Sequence, residues 1–469
     1  FSFLKFYQTK RLKIEEIRII DPKINFSFNP EVKSIKKKFD LTTLLTERLR
    51  SINVGKLNFQ NVDFDFNNVL RKNLLLKIDS MNMVINNLVF DSIFIEKTIP
   101  VGYEGINLFI NKISANISEH YMMETGHFRF NSEEKLLEID SIKLIPKYTI
   151  PEFNKMITEE KAYLKIKANL LQISGIDIDS IRNTRKFYFD KISLNDPVII
   201  TYKDKRLKDP AYKYKKLLSQ LIREIPVDFK IDTINVKNGH IKVQSIGDKV
   251  PQTKPGEITF NSVYLNVYSF TNDSLFLEKR PIMGIYFNSR FMGVANLNAQ
   301  ISIPIFNKNN SFKVKGKLAE MDATVLNDFL NKTLLVSIKT GKIKNIDFEF
   351  KADNDSAIGY VDISYQNLKI DVKSNKDPGK SMKFINALIN TVAKTDNIKG
   401  TPNFSRGFIA YKRDYNKKFI SYLWLSLQNG MLNTFRPQKE VKGQSKDFKK
   451  ENKKDKGIFK KWKKSNNED

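Results

Sequence analysis

The chain has 469 residues, 41% of them apolar, with 80 Lys and Arg against 52 Asp and Glu, a formal charge of +28, and no cysteine. The length exceeds what one compact core usually holds and the apolar content is too high for wholesale disorder, so several domains or one elongated repeat array are expected. Without cysteine there is no disulfide framework, thiol nucleophile or thiolate metal site, and the positive charge suits anionic partners, either phosphate backbones or anionic lipid headgroups.

From the N-terminus, Phe1 to Tyr7 reads as the exit of a leading segment. An apolar-x-apolar pattern with two-residue interruptions then begins: Leu12, Ile14, Ile17, Ile19, Pro22, Ile24, Phe26. It returns as Ile52, Val54, Leu57, Phe59, Val62, Phe64, Phe66, and again as Phe187, Phe189, Ile192, Leu194, Pro197, Ile199, Thr201. A fourth copy is Phe229, Ile231, Ile234, Val236, Gly239, Ile241, Val243, and partial copies begin near Leu76, Leu137 and Leu171. Alternation at period two marks strands with one buried face. The interruptions flip its parity, as a bulge or tight turn does when the apolar side must keep one orientation. Asp21-Pro22 and Asp196-Pro197 read as turns and Asn238-Gly239 as a hairpin signal, so each copy reads as a strand pair.

Such faces cannot be buried alone, so the units stack. A β-sandwich gives the same local signal, but roughly 25 strands at about 4.8 Å would make a sheet on the order of 120 Å long, which curls. The expected fold is mainly β: an elongated, curved antiparallel β-sheet forming a repeating groove, with a few short amphipathic helices. Those helices are expected at 41–51 (capped by Asp40), 151–160, 210–224 (Asp209 as N-cap), 381–395 and 417–434. The last carries Phe419, Leu423, Leu427 and Met431 on one side and is expected to plug or flank the core. Helical breaks near 150 and 210 suggest boundaries, and the chain divides into an N-terminal groove region (1–150), central repeats with the helix 210–224 (151–310), a C-terminal region (311–436) and a basic tail (437–469).

No signature of catalysis stands out. Three histidines, His120, His127 and His240, show no metal-ligand spacing, and Ser374 to Ser381 ends like a phosphate loop but has serine where the first glycine belongs. Glu15-Glu16 and Asp177 with Asp179 lie on the polar face of the pattern, away from any apolar pocket that would shift their titration. Basic residues are not gathered on a recognition helix, so nucleic acid is not an expected partner. The expectation is a non-enzyme without cofactor or metal.

Two stretches carry a family resemblance. One is Tyr202 to Arg206 followed by Val227 to Val243; the other runs from Lys315 to Phe435 and includes Gly341, Gly359, Tyr360, Tyr365 and Leu368, then Gly407 to Met431. Both resemble large AsmA-like envelope proteins of the Bacteroidota type. The resemblance implies a periplasmic body in the envelope of a Gram-negative bacterium, anchored to the inner membrane and carrying phospholipid or another acyl lipid in an apolar groove. The groove lining would then be Ile17, Ile19, Ile24 and Phe26, Leu57, Phe59, Phe64 and Phe66, Phe187, Phe189, Ile192 and Leu194, and Ile234, Val236, Ile241 and Val243. In the tail, Phe459, Lys460, Lys461 and Trp462 suit a membrane surface. The same fold also suits a scaffold or adaptor in a large envelope complex without lipid cargo.

Overall fold

The computed structural model describes residues 7–28, 50–68, 73–91, 101–248, 250, 254–372 and 394–435. The expected helices at 41–51 and 381–395, the loop 374–381 and the tail with Phe459, Lys460, Lys461 and Trp462 lie wholly or almost wholly outside these residues. Among the described residues, twenty strands form one sheet. The first ten are β1 (Arg11–Ile20), β2 (Lys23–Phe28), β3 (Ser51–Asn68), β4 (Asn73–Asp91), β5 (Gly105–Asn116), β6 (Tyr121–Thr125), β7 (Phe128–Asn131), β8 (Leu136–Pro146), β9 (Tyr163–Ser174) and β10 (Phe187–Asn195). The rest are β11 (Val198–Asp204), β12 (Phe229–Ile246), β13 (Gly256–Thr271), β14 (Ile282–Phe291), β15 (Ala295–Pro304), β16 (Phe312–Leu318), β17 (Met321–Asp322), β18 (Val336–Ala352), β19 (Ser356–Val372) and β20 (Gly407–Lys412).

Apart from four end-to-end pairs, each strand pairs with its neighbour in chain order. Four lanes hold two strands end to end: β1 with β2, β6 with β7, β10 with β11, and β16 with β17. The sheet is therefore sixteen lanes wide, roughly 70 Å at about 4.8 Å per lane. That is shorter than the sequence suggests because the strands are longer: β4 runs for 19 residues. The interruptions at Asn61 and Asn238 kink continuous strands, whereas Asp21-Pro22 and Asp196-Pro197 separate β1 from β2 and β10 from β11 within one lane. Asn238-Gly239 is not a hairpin; the chain passes through it inside β12, with register shifts on either side.

The sheet is mixed rather than purely antiparallel. β1 and β2 run parallel to β3, and β10 and β11 run parallel to β12. Here the sequence repeat has its physical meaning, because the copies lie side by side in register. Ile14 faces Val54, Ile19 faces Phe59 and Phe26 faces Phe66; Phe189 faces Ile231, Leu194 faces Val236 and Ile199 faces Ile241. Even the kinks coincide. Asp21, Asn61, Asp196 and Asn238 all adopt left-handed backbone, with φ between 51° and 53°, a conformation that Asp and Asn tolerate best among residues with a Cβ. Asn61 Nδ2 donates to Asp21 Oδ1 and Asn238 Nδ2 donates to Asp196 Oδ1, both at 2.7 Å. Two kinked parallel strands can remain hydrogen-bonded only if they kink at the same lane position, which the shared repeat guarantees.

Among the described residues, short helices and a 3-10 turn decorate the sheet: α1 (Ile150–Met156), α2 (Ile178–Thr184), α3 (Leu218–Arg223), α4 (Ser274–Lys279), α5 (Asn327–Leu334) and α6 (Phe419–Thr434), with the turn Ala323–Leu326 before α5. The helix expected at 151–160 stops at Met156, and the one expected at 210–224 is reduced to α3. Residues 210–217 instead run to the turn at 413–416. Lys215 N donates to Tyr415 O at 2.8 Å, Lys213 N to Asn416 Oδ1 at 3.0 Å, and Tyr214 stacks on Tyr415. Tertiary hydrogen bonds have outcompeted the intrahelical ones there, and α3 begins where Gln220 Oε1 accepts from Leu217 N at 2.8 Å.

The buried core lies in the second half of the sheet. Phe229, Val267, Ile303, Val314, Phe350, Val361 and Ile409 join Leu217 and Ile222 of the α3 region and Tyr422 of α6. Phe419, Leu423, Leu427 and Met431 of α6 pack against this cluster, as the helical spacing predicts.

Candidate functional site

The pairing register threads one apolar row across the whole sheet. It runs Ile19–Phe59–Met83–Leu108–Phe130–Leu137–Ile173–Ile192 through the first eight lanes. It continues Ile234–Val267–Ile285–Ile301–Val314–Phe350–Gly359–Ile409 through the last eight. A second row runs beside it from Phe26 and Phe66 through Leu76, Ala115, Met123, Leu144, Ile166, Ile199, Ile241, Phe260 and Phe291 to Ala295. No charged residue interrupts either row. The bulges achieve this, because each one restores the parity that a long twisting strand would otherwise lose.

The sixteen residues expected to line a groove all sit in this patterned face, and copy-related ones touch across adjacent lanes. None of them is fully buried: Ile19, Ile24 and Phe26 are exposed and the others half-buried. Farther along the first row the same kind of side chain is sealed, with Val314 at 4% exposure and Phe350 and Ile409 at 1%. The first row thus grades from half-exposed in lanes one to nine to closed in lanes thirteen to sixteen, while Val54, Val62, Ile110, Phe229 and Ile231 in the earlier lanes are already buried. What sequence reading missed is this gradient, since alternation looks the same on an open face and a covered one.

Helix α6 makes the closed end. A small-residue stripe brings it down on the sheet: a Cβ at Gly430 would stand 2.6 Å from Val361 and 2.7 Å from Ile409, and Gly407 faces the Gly430 carbonyl. Phe312 meets Phe419 and Tyr422 edge-on, with ring centroids 5.1 and 5.9 Å apart. Burial pushes the Tyr422 and Tyr365 hydroxyls well above the ordinary tyrosine range.

A strap ties two distant segments together beside it. The buried Arg413 donates to Asn354 O at 3.2 Å and to Lys215 O, and its guanidinium sits 5.3 to 5.7 Å from the ring centres of Tyr214, Tyr415 and Tyr422. Residues 210–217, which leave the eighth lane, are thereby tied to the turn beyond the sixteenth.

The other face of the last lanes is polar and braced. Asp362, wholly buried, accepts both arms of Arg406 at 2.6 Å and lies 3.0 Å from Lys399 Nζ. Its carboxylate raises the proton affinity of Lys399. Lys394 Nζ donates to Asn397 Oδ1, Asn403 O and Ser405 Oγ at 2.7 to 2.8 Å, and burial lowers its pKa. These contacts pin residues 394–406 across the sheet and consume their charges internally.

The polar residues weighed for chemistry are dispersed. His127 Nδ1 lies 3.4 Å from Asp140, His120 packs edge-on to Phe153, and Asp177 caps α2 by accepting from Ser180 N at 2.9 Å. Among the described residues no three His, Cys, Asp or Glu side chains gather as a metal site, and no helix is long and apolar enough to cross a membrane. No known protein-family model matches the chain, and a search of curated proteins gives no match.

Proposed function

We propose that the chain is a non-enzymatic lipid carrier of the AsmA-like kind, which holds the acyl chains of phospholipid or a similar lipid along its apolar rows and moves them within the cell envelope. The observation that carries this reading is an unbroken apolar row crossing sixteen lanes whose side chains stay half-exposed through the first nine. Half-exposed apolar side chains in so long a file are costly in water, and an acyl chain is the ligand whose shape and lack of polarity match a file without polar interruption. Each methylene buried contributes about 0.8 kcal/mol, so affinity builds without directional contacts. The closed end, sealed by α6, supports the reading that cargo enters from the open lanes.

The chain is purified without detergent, extracted, and its lipids quantified by mass spectrometry against a mock purification. More than one phospholipid per chain is the expected outcome. A lipid-free protein that remains folded and soluble overturns the proposal and leaves a scaffold role on the same fold.

A further inference from the structure

The polar face of the tenth to twelfth lanes carries a plate unlike the rest of the molecule. The register puts Tyr264 beside Asn288 and Asn298, Asn266 beside Tyr286 and Gln300, and Tyr268 beside Gly284 and Ser302. Directly paired residues share a face, and this one lies opposite the apolar row through Val267, Ile285 and Ile301. The block holds no charge and no aliphatic side chain, in a chain where 28% of residues are charged. Tyr264, Tyr268 and Tyr286 are 47%, 44% and 39% exposed, and the rings of Tyr268 and Tyr286 meet edge-on with centroids 5.7 Å apart. Gln300 Nε2 donates to the Tyr286 hydroxyl at 3.2 Å, which fixes that ring at the centre of the block. The amides of Asn288 and Asn298 and the hydroxyls of Tyr264 and Tyr268 have no hydrogen-bond partner among the described residues. Residues 254–318, which build the plate and its connections, are described without a break.

We infer that this plate binds a neutral glycan chain, whose pyranose rings lie on Tyr264, Tyr268 and Tyr286 while Asn288, Asn298 and Gln300 pair with its hydroxyls. A sugar ring presents C–H groups on its face and hydroxyls at its rim. The face of a tyrosine ring carries partial negative charge, which attracts such C–H groups. A primary amide both donates and accepts, which is what a hydroxyl asks of its partner. Gly284 keeps the space between the rings open, since a Cβ there would stand 3.1 Å from the Tyr286 ring. Three lanes at about 4.8 Å and five residues at about 3.3 Å make a plate on the order of 200 Å². That suits a few sugar units and falls well below the roughly 800 Å² per partner of a stable protein contact. Nucleic acid would stack on the same rings but needs free cations for its phosphates. The bordering Lys313 is paired with Glu349, and Lys315 and Lys317 stand opposite Glu349 and Asp347 of β18.

The full chain is titrated by calorimetry with cellohexaose, chitohexaose and oligouridylate, each in low salt and in 0.5 M salt. Binding of at least one of the two hexasaccharides, unchanged by salt, is the expected result. Tyr286→Ala should weaken it about ten-fold and Asn298→Ala about five-fold, while Tyr286→Phe, which keeps the ring, stays within about two-fold. Both side chains are exposed, so thermal unfolding of these variants should match that of the wild type. Heat from neither hexasaccharide overturns the inference. So does an affinity that Tyr286→Ala leaves untouched, or oligouridylate that binds more tightly than either sugar and is released by salt. The plate and the apolar rows lie on opposite faces, so sugar binding and lipid content are read independently and either proposal can fail without the other.

Discussion

Replacing Ile173 by aspartate tests the apolar row at its middle. Ile173 lies in the seventh lane between Leu137 and Ile192, and all three side chains are half-buried. Since the side chain is only partly covered, its loss costs the fold about 1 kcal/mol of apolar burial, and the carboxylate stays wet in the empty protein. A bound acyl chain meets a different cost. It forfeits contact over this lane and half of each neighbour, about five methylenes, or roughly 4 kcal/mol at 0.8 kcal/mol each. Passage across the middle should then slow by at least about a hundred-fold, while lipid held on either side is retained in part. The assay is transfer of a fluorescent phospholipid between donor and acceptor vesicles, alongside lipid content by mass spectrometry. Lys165→Asp, exposed on the same strand, serves as the control, since its side chain points to the other face. Wild-type transfer by Ile173→Asp, with the protein folded, would refute the claim that cargo follows the row.

Three further outcomes are expected. Asn238→Val places a β-branched residue at φ 53° and removes the bond to Asp196, so thermal unfolding should show a loss of about 2–3 kcal/mol, against less for Asn238→Gly. Gly407→Ala forces a Cβ into the Gly430 carbonyl and should lift α6 from the last lanes, costing about 2–3 kcal/mol and raising binding of a hydrophobic dye. The Asp177 carboxyl is held below its usual range by its bonds to Ser180, so it adds stability above the ordinary carboxylate pKa and loses it as pH falls through the lowered value. The gap between wild type and Asp177→Ala, about 1 kcal/mol at pH 7, should close in strong acid.

The strand pattern was legible because burial demands alternation, and the repeat was legible because parallel neighbours must match residue for residue. Ile14 and Val54, or Leu194 and Val236, occupy equivalent places in sequence and adjacent places in space. The bulges were expected, but Asn238-Gly239 was read as a hairpin signal and lies inside β12. Nothing local distinguishes Asn238-Gly239 in a hairpin from the same pair in a bulge, since both ask for left-handed backbone at the asparagine. The helix at 210–224 was overextended because the groups that unwind it, Tyr415 and Asn416, lie some 200 residues away. Arg413 in its tyrosine cage and Asp362 beneath Arg406 left no trace in sequence either, because a buried ion pair between distant strands has no periodic signature.

A sheet whose lanes touch only their predecessor and successor has a mechanical grain. Pulled from its N-terminal edge, it should peel as a zipper does, with β1 and β2 leaving first and each lane opening at low force once the one before it has gone. That run ends at the eighth lane, where the strap to residues 413–416 makes the remaining lanes a loop rather than a ribbon. Force there must break Arg413 out of its three rings and slide α6 along its glycine seat before another strand can go. A stretched molecule should therefore yield in many small steps and then in one large one.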